Sequence, residues 1–209
     1  MKRLLKPVMT ILAIAFLAAP ALVHANEGPV VGQPAPDFAA TDIKGTPVKL
    51  SDLKDKIVVL EWNNPECPFV IKHYDTKNMQ GLQEEATGKG VVWISINSSA
   101  AGQQGNLTAE TAQATLEKNG GKPSHYVLDA SGEIGRLYQA KTTPHMFVIN
   151  KDGVLAYAGA IDSDPSPRHE GVKTARNHVR SAIDALIAGQ PVETATTQPY
   201  GCNVKYGTN

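Results

Sequence analysis

The chain has 209 residues, 20 basic and 20 acidic, and a hydrophobic share of 42%. That length suits one domain with a short appendage, and the apolar content is enough for a folded core. The zero net charge gives no argument for a nucleic-acid partner.

Residues 1–25 read as a secretory signal. Lys2, Arg3 and Lys6 form a charged start, Val8 to Leu22 is mostly apolar, and Val23-His24-Ala25 offers a cleavage site before Asn26. Removing them leaves 17 basic and 20 acidic residues. No later stretch is long and apolar enough to span a bilayer. The expected mature protein is exported, most simply to a bacterial periplasm or beyond, without stable membrane insertion. The expected division is a signal over 1–25, a domain over 26–190 and a tail over 191–209.

In chain order, Asp42 to Gly45 is a turn between two short extended runs, which predicts a small hairpin. Ser51-Asp52-Leu53 begins a short helical piece. Ile57 to Leu60 is an apolar, β-branched run that reads as a buried strand. Phe69 to Ala86 reads as one helix ending at Gly88. Val91 to Ile96 is a second strand. Thr108 caps a helix through Lys118 that Gly120-Gly121 stops. Tyr126 to Leu128 is a short strand and Glu133 to Gln139 a short helix. Met146 to Ile149 and Val154 to Ala158 flank a hairpin turn at Asn150-Lys151-Asp152-Gly153. A helix from about Val172 to Ala188 buries the face of Ala175, Val179, Ala182, Ile183, Leu186 and Ile187. Two βα units followed by a hairpin and a helix predict an α/β fold, with a mixed central sheet and helices on both faces.

Cys67 falls where the central strand hands over to a helix, with Pro68 in the first helical position. Unpaired N–H groups and the helix dipole favour a thiolate at such a point. Ligands of open α/β sheets bind beyond the carboxyl ends of the strands, where Cys67 lies. Cys202 is the only other cysteine. There is no C-x-x-C and no Cys/His spacing of a structural zinc site, so neither metal nor cofactor is expected. Glu61 reads either as a catalytic acid or as a solvent-facing one. Lys72 and His73 read as a solvated helix face. Trp62 and Phe69 read either as walls of the cysteine pocket or as core packing.

Three features together resemble a known family. They are Cys67 at the strand-to-helix turn, the segment Lys141-Thr142-Thr143-Pro144-His145-Met146 before an apolar strand, and the Ala35-Pro36-Asp37-Phe38 entry with its Gly45 hairpin. The chain is similar over about residues 30–190 to the thioredoxin-fold redoxins, the alkyl hydroperoxide reductase and thiol-specific antioxidant family, and within it to an exported peroxiredoxin-like subgroup. The resemblance implies a thiol–disulfide oxidoreductase or antioxidant whose partners are thiols, disulfides or peroxides. It implies a catalytic Cys67 and a cis bond at Thr143-Pro144, which would present backbone groups to substrate. Val70 stands where exported relatives carry the second cysteine. Leu60 and Asn64 stand where true peroxiredoxins use Pro and Thr or Ser, and their peroxide-polarising arginine has no counterpart, so peroxide turnover is expected to be low. Asn63 or Asn64 is the remaining candidate donor to a peroxide. A copper-binding module drawing on Cys67, His145 and Cys202 is the alternative. Cys202 is the candidate resolving thiol: the tail from Gly189 can extend roughly 40 Å, enough to return to the site. The residues leave the oligomeric state open.

Overall fold

The computed structural model describes residues 28–208, so the expected signal lies outside the described residues. Its centre is a five-stranded mixed sheet. In chain order the strands are β1 (Ala39–Thr41), β2 (Pro47–Lys49), β3 (Val58–Trp62), β4 (Val92–Asn97), β5 (His125–Leu128), β6 (Thr142–Thr143), β7 (His145–Ile149), β8 (Leu155–Gly159) and β9 (Cys202–Asn203). The helices are α1 (Pro68–Asp75), α2 (Asn78–Gly88), α3 (Ala109–Asn119), α4 (Glu133–Leu137) and α5 (His178–Ile187).

The central sheet has the order β5-β4-β3-β7-β8. β3 runs parallel to β4 and antiparallel to β7, with Leu60 opposite Ile94 on one side and Phe147 on the other. β1 and β2 form the expected hairpin. It docks on β5 through the Ile43 N–H to the Tyr126 carbonyl (2.9 Å) and His125 Nδ1 against Asp42 Oδ2 (2.9 Å).

The strand period of two sorts the β3 side chains. Val59 joins Trp93, Met146, Val148 and Tyr157 under α1, α2 and α5, in a cluster that also holds Cys67. Val58, Leu60 and Trp62 face the other way, onto Phe147, Ile134, Tyr138 and the hairpin residue Val48. Trp62 therefore does not line the cysteine pocket. It packs against Tyr138 and Phe147 at ring separations of 5.5 and 5.3 Å on the opposite face of the sheet. Full burial of such side chains contributes roughly 1.5–3 kcal/mol each, which fixes the register.

Three sequence expectations are corrected. The helix expected over 69–86 is two helices, because Lys77 takes a left-handed conformation (φ 60°) between α1 and α2. The last helix begins not at Val172 but after Asn177, whose side chain caps the Arg180 N–H at 2.8 Å; residues 170–173 form a separate 3₁₀ turn. The tail, whose Gly189, Pro191, Pro199 and Gly201 read as flexible, is held down: Val192 and Tyr200 pack on the core, and β9 pairs with β6.

Candidate active site

β3 ends at Trp62, and the chain turns through Asn63 to Glu66 before α1. Cys67 is the N-cap residue, with extended backbone, and Pro68 follows at the first helical position, where no N–H is needed. The Asn63 N–H is held by the Ile96 carbonyl (2.8 Å) and the Cys67 N–H by Asn64 (3.0 Å). The Asn64 side chain clamps the turn further, accepting from the Glu66 N–H at 2.9 Å and donating to the Gln104 carbonyl at 3.2 Å. The turn that carries Cys67 is thus held by backbone hydrogen bonds and by the Asn64 side chain.

The thiol itself is 0% exposed. Its Sγ lies 3.0 Å from the Thr143 carbonyl oxygen, to which it donates. The Thr143–Pro144 bond is cis. Thr143 also sits opposite Cys202 in the antiparallel β6–β9 pair, and Thr142 opposite Asn203. Cys67, Thr143 and Cys202, remote in sequence, meet at one point.

Cys67 and Cys202 are both free thiols, and they meet at Thr143, whose carbonyl accepts from Cys67 Sγ and which pairs with Cys202. Burial first, and then the neighbouring Cys67, push the Cys202 thiol up to about 12.

A second group of side chains flanks the thiols. Phe69 lies 6.1 Å from the Tyr200 ring, and Lys72 Nζ sits 5.0 Å from that ring's centroid. Tyr200 donates its hydroxyl to Asp162 and meets His73 Nε2 at 3.2 Å. Asn78 Nδ2 lies 2.9 Å from His73 Nδ1, so these neighbours assign a neutral ring protonated at Nε2. Burial, and then the Lys72 charge, hold His73 down at about 3. Lys72 donates to the carbonyls of Asp164 and Ser166, each at 2.7 Å. Lys72 and His73 are both 0% exposed, so the expected solvated helix face is the foundation of the tail. A lysine and a histidine in a row give no sequence sign of this, because the tail and loop groups they hold lie about ninety residues or more downstream.

Glu61 is likewise buried at 0% exposure rather than facing solvent. Oε1 accepts from Asn63 Nδ2 (2.7 Å) and the Tyr74 hydroxyl (3.0 Å). Oε2 accepts from Gln83 Nε2 (3.1 Å), Trp93 Nε1 (2.8 Å) and Ser95 Oγ (2.8 Å). Burial, and then the charge of Glu61, raise the Tyr74 hydroxyl well above its ordinary value. The donors expected for peroxide chemistry are committed elsewhere, Asn63 to Glu61 and Asn64 to the turn.

His145, the third group of the copper alternative, stacks on Phe147 at 4.4 Å, and its Nδ1 accepts from the Lys141 N–H at 3.3 Å. Among the described residues no three His, Cys, Asp or Glu side chains are grouped to hold a metal ion.

A mixed sheet with a cysteine at the first strand-to-helix turn, facing a cis-proline segment, defines a thioredoxin-like fold. The chain belongs to the AhpC/TSA family, whose model matches residues 31–158. It is similar to the thiol-disulfide oxidoreductase ResA of Geobacillus kaustophilus, 28% identical over 153 residues covering 68% of this chain and 78% of that protein. It is also similar to the methylamine utilization protein MauD of Methylobacillus flagellatus, 25% identical over 78% of this chain and 68% of that one. Among solved structures, a hypothetical protein of Sinorhizobium meliloti matches with a TM-score of 0.75 and 26% identity over 88% of this chain and 98% of its own.

Proposed function

We propose that this protein is an exported thiol–disulfide oxidoreductase in which Cys67 is the nucleophile and Cys202 the resolving thiol. The family supplies the reaction class, an oxidoreductase acting on thiols, and the relative from Geobacillus kaustophilus carries thiol-disulfide oxidoreductase as its name. The observation that carries the reading is the meeting of the two cysteines at Thr143, whose carbonyl accepts from Cys67 Sγ at 3.0 Å and which pairs with Cys202 across β6–β9. Export rests on the charged and apolar pattern of residues 1–25. Among the described residues no helix is long and apolar enough to cross a membrane.

In the reducing direction the Cys67 thiolate attacks one sulfur of a substrate disulfide. A Cys67–substrate disulfide forms, and the other substrate sulfur leaves as a thiolate and takes up a proton. Cys202 then loses its proton and attacks Cys67 Sγ. The Cys67–Cys202 disulfide forms and the second substrate thiolate leaves. Overall one substrate disulfide and two protein thiols become two substrate thiols and one protein disulfide; the reverse sequence oxidises a dithiol.

Peptide mapping of the oxidised, unreduced monomer tests the pairing. The expected product is one linked pair of peptides containing Cys67 and Cys202. A freely alkylatable Cys202 in protein whose Cys67 is oxidised would remove Cys202 from the mechanism.

A further inference from the structure

We propose that the tail strand β9 occupies the edge on which the substrate binds, so that tail and substrate exchange there. The preferred substrate is then an extended polypeptide with a cysteine opposite Thr143 and an aromatic residue, best a tyrosine, two positions before it. The proposal rests on the reading of Cys67 as the nucleophile.

Among the described residues, β6 has one strand partner, β9. The pairing consists of backbone contacts, extended by the Val204 N–H to the Lys141 carbonyl at 3.1 Å. Backbone pairing of this kind accepts any extended segment, as when a peptide adds to a sheet edge. With the tail in place Cys67 is 0% exposed, so a disulfide carried on another molecule cannot reach its sulfur. The tail must leave for the reaction to begin, and what it vacates is a strand-shaped edge beside the thiol.

The Tyr200 site gives that edge a preference. Phe69 and Lys72 contact the ring, while Asp162 and His73 take the hydroxyl. Three of these, Lys72, His73 and Asp162, are polar groups at most 2% exposed. When Tyr200 departs, Asp162 and His73 lose the hydroxyl that satisfies them, a loss that an incoming tyrosine restores. Gly201 lies between the two anchored residues at φ 138°, where an added Cβ would collide with the Thr143 carbonyl. The sequence Tyr200-Gly201-Cys202 therefore describes the occupant that the edge is shaped to hold.

The test uses full-length protein carrying Cys202→Ser. It is mixed with three short peptides, Tyr-Gly-Cys-Asn-Val and the versions with Phe or Ala in place of Tyr. The cysteine of each is joined by a disulfide to the chromogenic thiol nitrothiobenzoate. Attack of the Cys67 thiolate on the peptide sulfur forms the Cys67–peptide disulfide and expels the coloured thiolate, read by absorbance and by mass. The ring and hydroxyl contacts predict that the Tyr peptide reacts about tenfold faster than the Ala peptide below saturation, with Phe between them. Amide protection over residues 200–205 should fall in the Tyr adduct. Equal rates for the three peptides, or an adduct with undiminished tail protection, would overturn the proposal while leaving the nucleophile intact. Folded protein that forms no adduct at Cys67 with any peptide would instead overturn the catalytic reading itself.

Discussion

Five neutral donors converge on the Glu61 carboxyl group, from β4, α1, α2 and the turn after β3. Replacing Glu61 with leucine strands Asn63, Tyr74, Gln83, Trp93 and Ser95 in a dry interior. The expected loss is about 3–5 kcal/mol of stability, seen as a lower urea midpoint. A loss below about 1 kcal/mol would mean that the donors find other partners. The sequence shows an acid at the end of an apolar strand, but its donors lie up to 34 positions away, so its burial is not legible there. Cys67 is legible, because the strand, the turn residues and Pro68 are contiguous. Committed amides on Asn63 and Asn64 also bear on peroxide chemistry, which needs donors aimed at the breaking O–O bond. Hydrogen peroxide should therefore oxidise Cys67 slowly, by orders of magnitude compared with a true peroxiredoxin, in a stopped-flow assay. Fast consumption would require a set of donors other than these two.

At the scale of elements, strands and turns are read well from sequence and helix ends poorly. The hairpin at Asn150 to Gly153 lies where its turn residues place it, and α3 starts at the Thr108 cap with a reciprocal Thr108–Thr111 pair. The break between α1 and α2 carries no glycine or proline, only Lys77 in a left-handed conformation, and so escapes composition. The start of α5 is shifted because Asn177 caps it, while Ala175 continues the apolar period without being helical. The docking of β9 is invisible in the same way, since two residues of strand have no periodicity. Its dependence on Gly201 is testable. Gly201→Ala puts a methyl against the Thr143 carbonyl at a backbone angle that alanine avoids. The tail should detach, and alkylation of Cys67 in the reduced protein should accelerate at least tenfold while the fold measured by circular dichroism persists. An unchanged alkylation rate would show that the tail does not shield the thiol.

For the whole molecule, two buried histidines set an acid limit. His73 and His145 are each held at about 3, by burial first and then by Lys72 and Lys141 respectively, against an ordinary value of 6.5. Between those values the unfolded chain binds protons that the folded one refuses. The contribution is full above about pH 6.5 and is lost as the pH falls from there toward 3. Each histidine should add a slope of up to about 1.4 kcal/mol per pH unit. Urea midpoints at pH 7, 6 and 5 should fall together, and a flat profile would place these rings in solvent. Oxidation is the opposing influence. A bridge between Cys67 and Cys202 closes a long loop and should raise stability by up to about 5 kcal/mol, read by comparing midpoints with and without reductant.

That β9 follows the other described strands in sequence also orders events in time. A polypeptide emerges from its N-terminus onward, and its parts begin to fold as they appear. β3, β4, β7 and α1 all precede the tail. The body can therefore gather around Cys67 before the segment that roofs the thiol has been made. For that interval the Cys67 thiol stands open to whatever thiol or disulfide is nearby. On the proposed reading, a newly made molecule passes once, before β9 arrives, through the uncovered state that each later turnover recreates.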